Sequence, residues 1–200
     1  MSFCKVLTAA SLATALSVSI ASAATFTIDA GDVTVSGGDF CFPGDCKLKG
    51  SIKGGSFDLN TVGETASLSD LFDWRVLTTS RWATGAGKYS VNATLNFSSP
   101  SLASSSASGY AGFITLLGSV SGGVLAWTSG SGIIDFSEGY KLSYTLKDAL
   151  RLGSGTQTTT GASFTLEETP APVPLPASAL LLLGGMGVLG GLRAKRQRTA

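Results

Sequence analysis

The sequence predicts a mainly β protein: an antiparallel β-sandwich or jelly-roll-like body, preceded by an apolar export segment and followed by one transmembrane helix. Three observations carry this expectation. Several segments alternate apolar and polar residues with the period of two that half-buried strands require. Charged residues make up only 14% of the chain and glycine is abundant, which suits short strands joined by turns better than long solvated helices. Both ends of the chain hold uncharged apolar runs next to basic residues.

Residues 1–23 begin with a short head containing Lys5, continue through an apolar stretch over 6–20, and end in Ala21-Ser22-Ala23. Head, apolar middle and small-residue exit occur in the order of a secretory signal peptide, so cleavage is expected between Ala23 and Ala24. Cys4 precedes the apolar run and leaves with it. The mature body, residues 24–169, is large enough for one domain with its own core.

Within the body, Cys41-Phe42-Pro43-Gly44-Asp45-Cys46 places Pro and Gly at the two central positions of a type II turn, which brings the two thiols together. In an oxidising compartment a Cys41–Cys46 disulfide follows. Closing so short a loop contributes about 2 kcal/mol in the chain-entropy model, a local clip and no framework. Residues 67–74 read as the one helical piece, since Leu68, Leu71 and Phe72 have i, i+3, i+4 spacing behind a cap at Thr65 or Ser67. The clearest strand is 89–97, where Tyr89, Val91, Ala93, Leu95 and Phe97 alternate with Ser90, Asn92, Thr94 and Asn96. Residues 98–108, rich in Ser and Ala, read as an exposed low-complexity loop. Further strands are expected over 110–117, 123–127, 132–136, 140–146 and 162–166, separated by Ser/Gly turns.

Residues 170–176 place proline at every second position, which fixes φ and removes backbone donors, so this stretch is an extended tether at about 3.1 Å per residue. An uncharged run over 177–192 follows and stops at the basic tail, residues 193–200. Counted from Leu175 the run spans about 27 Å as a helix, close to a hydrocarbon core of about 30 Å. Glycines at 184, 185, 187, 190 and 191 make it a minimal, weakly apolar span. The basic residues Arg193, Lys195, Arg196 and Arg198 then stop transfer and stay cytoplasmic, leaving the body outside.

This tail, with Val173, Pro174, Leu175, Pro176 and Ala177 before a Gly/Leu helix and a basic end, resembles the VPLPA variant of the PEP-CTERM protein-sorting signal. The resemblance covers only the tail. It implies that the chain is a substrate of an exosortase, a membrane protease or transpeptidase that recognises the proline motif. It also implies a product found at the cell surface or released from it, often alongside an exopolysaccharide matrix. It implies nothing about the body's own activity.

Composition narrows that activity. The net charge of +1 hides a segregation: all 13 acids lie in the body with nine of the bases, so no basic stripe exists for nucleic acid. Histidine is absent, which removes the commonest general base and metal ligand. Acid pairs occur at Asp70 with Asp73 and at Asp135 with Glu138, the minimum for a glycoside hydrolase, but no nucleophile or phosphate-binding motif accompanies them. Asp29, Asp32 and Asp39 lack EF-hand spacing, and turn chemistry explains them as well as Ca²⁺ does. Among the aromatics, Tyr89, Tyr140, Tyr144 and Trp127 belong to apolar faces and read as core. Trp82 lies in Arg81-Trp82-Ala83-Thr84-Gly85 without alternation, and is either a packed loop residue or a platform for stacking a sugar. The expectation is therefore a non-enzymatic exported surface or matrix protein without a cofactor. Its expected partners are an exosortase and the membrane, with extracellular polysaccharide as a further candidate. A carbohydrate-binding module is the alternative, and a glycoside hydrolase stands behind it.

Overall fold

The structure, a computed structural model, describes residues 23–148 and 157–171. The segment 1–22 and the expected sorting motif, span and basic tail all lie outside the described residues. Among the described residues no helix is long and apolar enough to cross a membrane.

Eleven antiparallel strands account for most of the described chain: β1 (Ala24–Ile28), β2 (Gly31–Phe42), β3 (Cys46–Ile52), β4 (Gly55–Leu59), β5 (Thr65–Thr78), β6 (Thr84–Ser99), β7 (Ala103–Leu116), β8 (Ser119–Trp127), β9 (Ser131–Asp135), β10 (Lys141–Leu146) and β11 (Gln157–Glu168). They form two ladders. In the first, β6 pairs with β7 along one side and with β1 and β2 along the other, while β4 extends β1 and β8 extends β7. In the second the order is β3-β5-β11-β10-β9. β2 belongs to both: residues 31–33 pair with β3, and residues 34–42 pair with β6.

Period-two alternation decides which faces meet. Val91, Ala93, Leu95 and Phe97 of β6 are buried, and so are Ala162, Phe164 and Leu166 of β11. Phe164 stacks on Phe57 of β4 at 4.9 Å between ring centroids and meets Phe97 of β6 edge-on at 6.1 Å. Phe26 of β1 likewise meets Phe136 and Tyr140, at 5.4 Å and 5.9 Å. One core thus joins the two ladders. A second aromatic group, Phe72, Trp74 and Trp127, closes it, with Trp74 Nε1 donating to Thr160 Oγ1 at 2.9 Å.

Two sequence expectations are corrected here. Residues 67–74 are strand, part of β5, and no helix forms. Opposite them Ala162 pairs with Leu68 and Thr160 with Phe72, so three residues of β5 face the single Gly161. This bulge turns both Leu71 and Phe72 inward and mimics a helical i, i+3, i+4 pattern. Gly161 permits it, because a Cβ there would lie 2.2 Å from the Leu68 carbonyl oxygen. The Ser/Ala run 98–108 is not one loop either: β6 extends to Ser99, β7 starts at Ala103, and Thr94 Oγ1 and Ser106 Oγ share a hydrogen bond of 3.2 Å.

Strand directions also fix where the chain enters and leaves. β1 starts beside the end of β4, with Ala24 opposite Leu59, and β11 ends beside the start of β5, with Thr165 opposite Thr65. Both ends of the body therefore lie at one pole. The turns over 43–45, 79–83 and 117–118 lie at the other.

Replacing Phe164 with alanine removes the ring that spans both ladders. The expected cost is about 3–5 kcal/mol, measured by urea denaturation with an unchanged slope; a loss below about 1 kcal/mol would show that the ladders are held together elsewhere.

Candidate functional site

The pole opposite the chain ends is organised around the disulfide. Cys41 and Cys46 are bonded, with their Cα atoms 5.8 Å apart, as the sequence predicts. Gly44 takes φ of +91°, and the Phe42–Pro43 peptide is cis. Asp39 Oδ2 accepts the Cys46 N–H at 2.7 Å, and the Asp45 N–H donates to Thr79 Oγ1 at 2.8 Å, tying this turn to the next. Buried Thr115 places its hydroxyl 3.5 Å from each sulfur. Neither sulfur carries hydrogen, so only the hydroxyl can donate, and its single proton is also directed at the Gly85 carbonyl at 3.4 Å.

On this frame the outer face of β2, β6 and β7 becomes apolar. Phe40 lies opposite Ala86, which lies opposite Ile114; Phe42 lies opposite Thr84, and Leu116 follows Ile114 on the same face. Phe40 and Phe42 are 78% and 75% exposed, and Ile114 and Leu116 are also exposed. Gly85 allows β2 to approach this closely, since a Cβ there would lie 1.9 Å from the Phe40 carbonyl oxygen. Thr84 gathers the neighbouring turns: its hydroxyl donates to the Trp82 carbonyl at 3.4 Å and accepts the Leu117 N–H at 3.3 Å. Leu117 sits at φ of +52° before Gly118 at +76°, the two positive φ values of a type I′ hairpin turn. A bulky apolar residue rarely occupies such a position, and Leu117 is exposed in it.

Trp82 is 56% exposed, so of its two sequence readings the packed loop residue is set aside. The Arg81 guanidinium lies 5.4 Å from its ring centroid, a cation–π contact that holds the indole. Tyr89, Tyr140, Tyr144 and Trp127 lie in or against the core as expected, whereas Tyr110 is exposed.

Other nominated residues do not converge. Asp70 pairs with Lys53 at 3.5 Å and Asp73 with Arg75 at 3.8 Å, while Asp135 and Glu138 are exposed around the β9–β10 turn. Asp29 accepts the Ser98 hydroxyl, Asp32 lies in β2 opposite Ser51, and Asp39 serves the disulfide turn. Among the described residues, Asp39 gathers metal-ligating atoms only with Cys41 and Cys46, whose sulfurs are committed to each other. A shallow open groove of about 350 Å³ lies where β2 leaves β3, lined by Asp32, Lys49, Ser51, Asp73 and Arg75. Its charges alternate in sign.

The sequence does not single out Phe40, Phe42, Ile114, Leu116 or Leu117. Their signal is an apolar residue at an outward position of a strand, which is legible only once the strand's phase is known. No family model, curated protein or solved structure matches the chain.

Tyr89 reports on this pole. Its hydroxyl donates to the Cys46 carbonyl at 3.3 Å, and burial, reinforced by the negative charge of Asp39, raises its pKa above the ordinary tyrosine value of 10. The stability this group contributes is complete below the unfolded value and is lost as pH rises through the folded one. Unfolding free energy should therefore fall above pH 10 in a component that Tyr89→Phe removes; equal slopes for both proteins in alkaline denaturation would refute the assignment.

Proposed function

We propose that this chain is an exported surface or matrix protein, sorted through its VPLPA-type tail by an exosortase, whose non-enzymatic body displays an apolar binding tip. The observation that carries this reading is polar: both ends of the body leave from one pole, and the exposed aromatic cluster occupies the other. A tether starting at Pro170 would then hold the body so that Phe40, Phe42 and Trp82 face away from the membrane. The body is read as a β-sandwich of the jelly-roll-like class, since two ladders share one core.

Two further features support a tip that serves binding over folding. Contiguous exposed apolar surface is uncommon on soluble monomers and marks sites of interaction. Leu117 adds apolar surface where the backbone favours Asn or Gly, so local stability does not account for it. The disulfide fits delivery to an oxidising compartment, and Ala24, the expected first residue after cleavage, already belongs to a strand with its side chain buried.

Exposure of Trp82 and of Phe42 at one pole keeps the carbohydrate-binding module as a second reading, because sugar rings stack on exposed aromatic faces. Mass spectrometry of the protein recovered from its host tests the sorting proposal: the expected product starts at Ala24 and lacks Arg198, and a product retaining both Met1 and Arg198 overturns it. A glycan array tests the second reading. Binding that falls at least tenfold in Trp82→Ala and in Phe42→Ala would establish the module, and no binding by the parent protein would remove it.

A further inference from the structure

The two ladders do not end alike. β4, at one edge of the first ladder, is short and carries Asp58, whose carboxylate accepts the Thr25 hydroxyl at 2.6 Å. The side where β2 leaves β3 carries Asp32, Lys47 and Lys49. Such short strands and charges are the usual means by which an exposed edge is kept from pairing with another chain. β8, at the opposite edge of the first ladder, carries no charge of its own, and among the described residues a charge meets its backbone only at its last residue, where Asp148 accepts the Trp127 N–H. Among the described residues it pairs with β7 and with no other strand, and Ser-Val-Ser-Gly-Gly-Val-Leu-Ala-Trp contains neither charge nor proline. It lies inside a longer tract: no charged residue occurs between Lys88 and Asp135, which covers most of β6, all of β7 and β8, and β9 as far as its last residue.

The hydrogen bonds of β8 show which backbone groups face outward. The Thr128 N–H donates to the carbonyl of Ser108 in β7, whereas the Trp127 N–H points the other way and is accepted by Asp148 Oδ1 at 2.8 Å. With a period of two, the N–H and C=O groups of Gly123 and Leu125 also face outward. Positions 122, 124 and 126 then lie on the outer face, with Val124 continuing the row Lys88, Gly112, Val124.

We propose that β8 pairs with β8 of a second copy of this chain, antiparallel and about a two-fold axis at Val124. In that register Gly123 of each copy opposes Leu125 of the other, so these two residues of each strand exchange hydrogen bonds with their counterparts. Val124 meets Val124 in the closely spaced, non-hydrogen-bonded position, and Gly122 meets Ala126. A strand paired with its own copy normally brings like charges together; here there are none to oppose. Charge favours the same contact over the rest of the surface, because the body carries 13 acids against nine bases and its net negative charge opposes close approach of two copies elsewhere. A charged partner, by contrast, finds nothing complementary on β8. The symmetry is closed, so the product is a dimer and not a fibre. Antiparallel pairing also points the two tether poles in opposite directions, so the pair suits bridging between two surfaces, not side-by-side packing on one.

Disulfide trapping tests the pairing in the full chain exported by its host. Val124→Cys places two thiols across the axis at a Cα separation of about 4.5 Å, within disulfide reach. The expected result is a reducible covalent dimer for Val124→Cys, and none for the parent or for Lys88→Cys on the same face. Sedimentation of the exported parent protein should show a concentration-dependent dimer that Gly122→Lys weakens at least tenfold. That variant keeps the fold intact, because a Cβ at Gly122 meets nothing within 4 Å. A parent that stays monomeric, equal trapping at Lys88→Cys, or a dimer indifferent to Gly122→Lys but lost in Phe42→Ser would each overturn the proposal, the last by assigning the contact to the apolar tip.

Discussion

The structure depends on the contact of aromatic rings across the space between the two ladders. Phe164 reaches Phe57 and Phe97, and Phe26 reaches Phe136 and Tyr140, so strands distant in sequence share one dry interior. A sheet with one apolar face is not stable alone, and burying that face against a second sheet supplies most of the driving force. Everything on the outer faces is presented by this pairing, which is why the exposed residues can depart from ordinary surface composition without loss of the fold.

Within that frame β2 sets the asymmetry of the molecule. By pairing first with β3 and then with β6, it passes from one ladder to the other and opens the groove beside Asp32 and Lys49. Its far end is then free to carry Phe40 and Phe42 out on the outer face, while the Cys41–Cys46 bond, Asp39 and Thr115 hold the turn that follows. The apolar tip is therefore a consequence of topology: three turns from separate parts of the chain meet because the strands before them run in the same direction. The same directions carry both chain ends to the opposite pole.

The two proposed contacts use different physics and adjoin where Ile114 of the tip pairs with Gly122 of β8. The tip offers side chains, aromatic and aliphatic, to a ligand or surface. The β8 edge offers backbone groups, whose geometry demands another strand. Under the proposed sorting, a protein held by one end can use both at once, since the edge runs along the body and the tip crowns it.

Much of the architecture was legible in the residues alone. Alternation in 89–97, 140–146 and 162–166 reports strands because one face of each lies in the core, and the pair Cys41 and Cys46 reports its bond because the turn between them is short. The proposed sorting tail likewise rests on local composition, on proline, apolarity and charge in sequence, and its reading draws on no fold. Residues 67–74 and 98–108 were misread because a bulge opposite Gly161 imitates helical spacing, and because Ser and Ala differ too little in hydropathy to display a period. The apolar tip and the uncharged edge belonged to tertiary structure from the start. Whether Phe40 faces solvent or core depends on the phase of β2 against β6, and whether β8 is an edge depends on which strands pair. Both are settled by contacts between residues far apart in the chain, which no local pattern encodes.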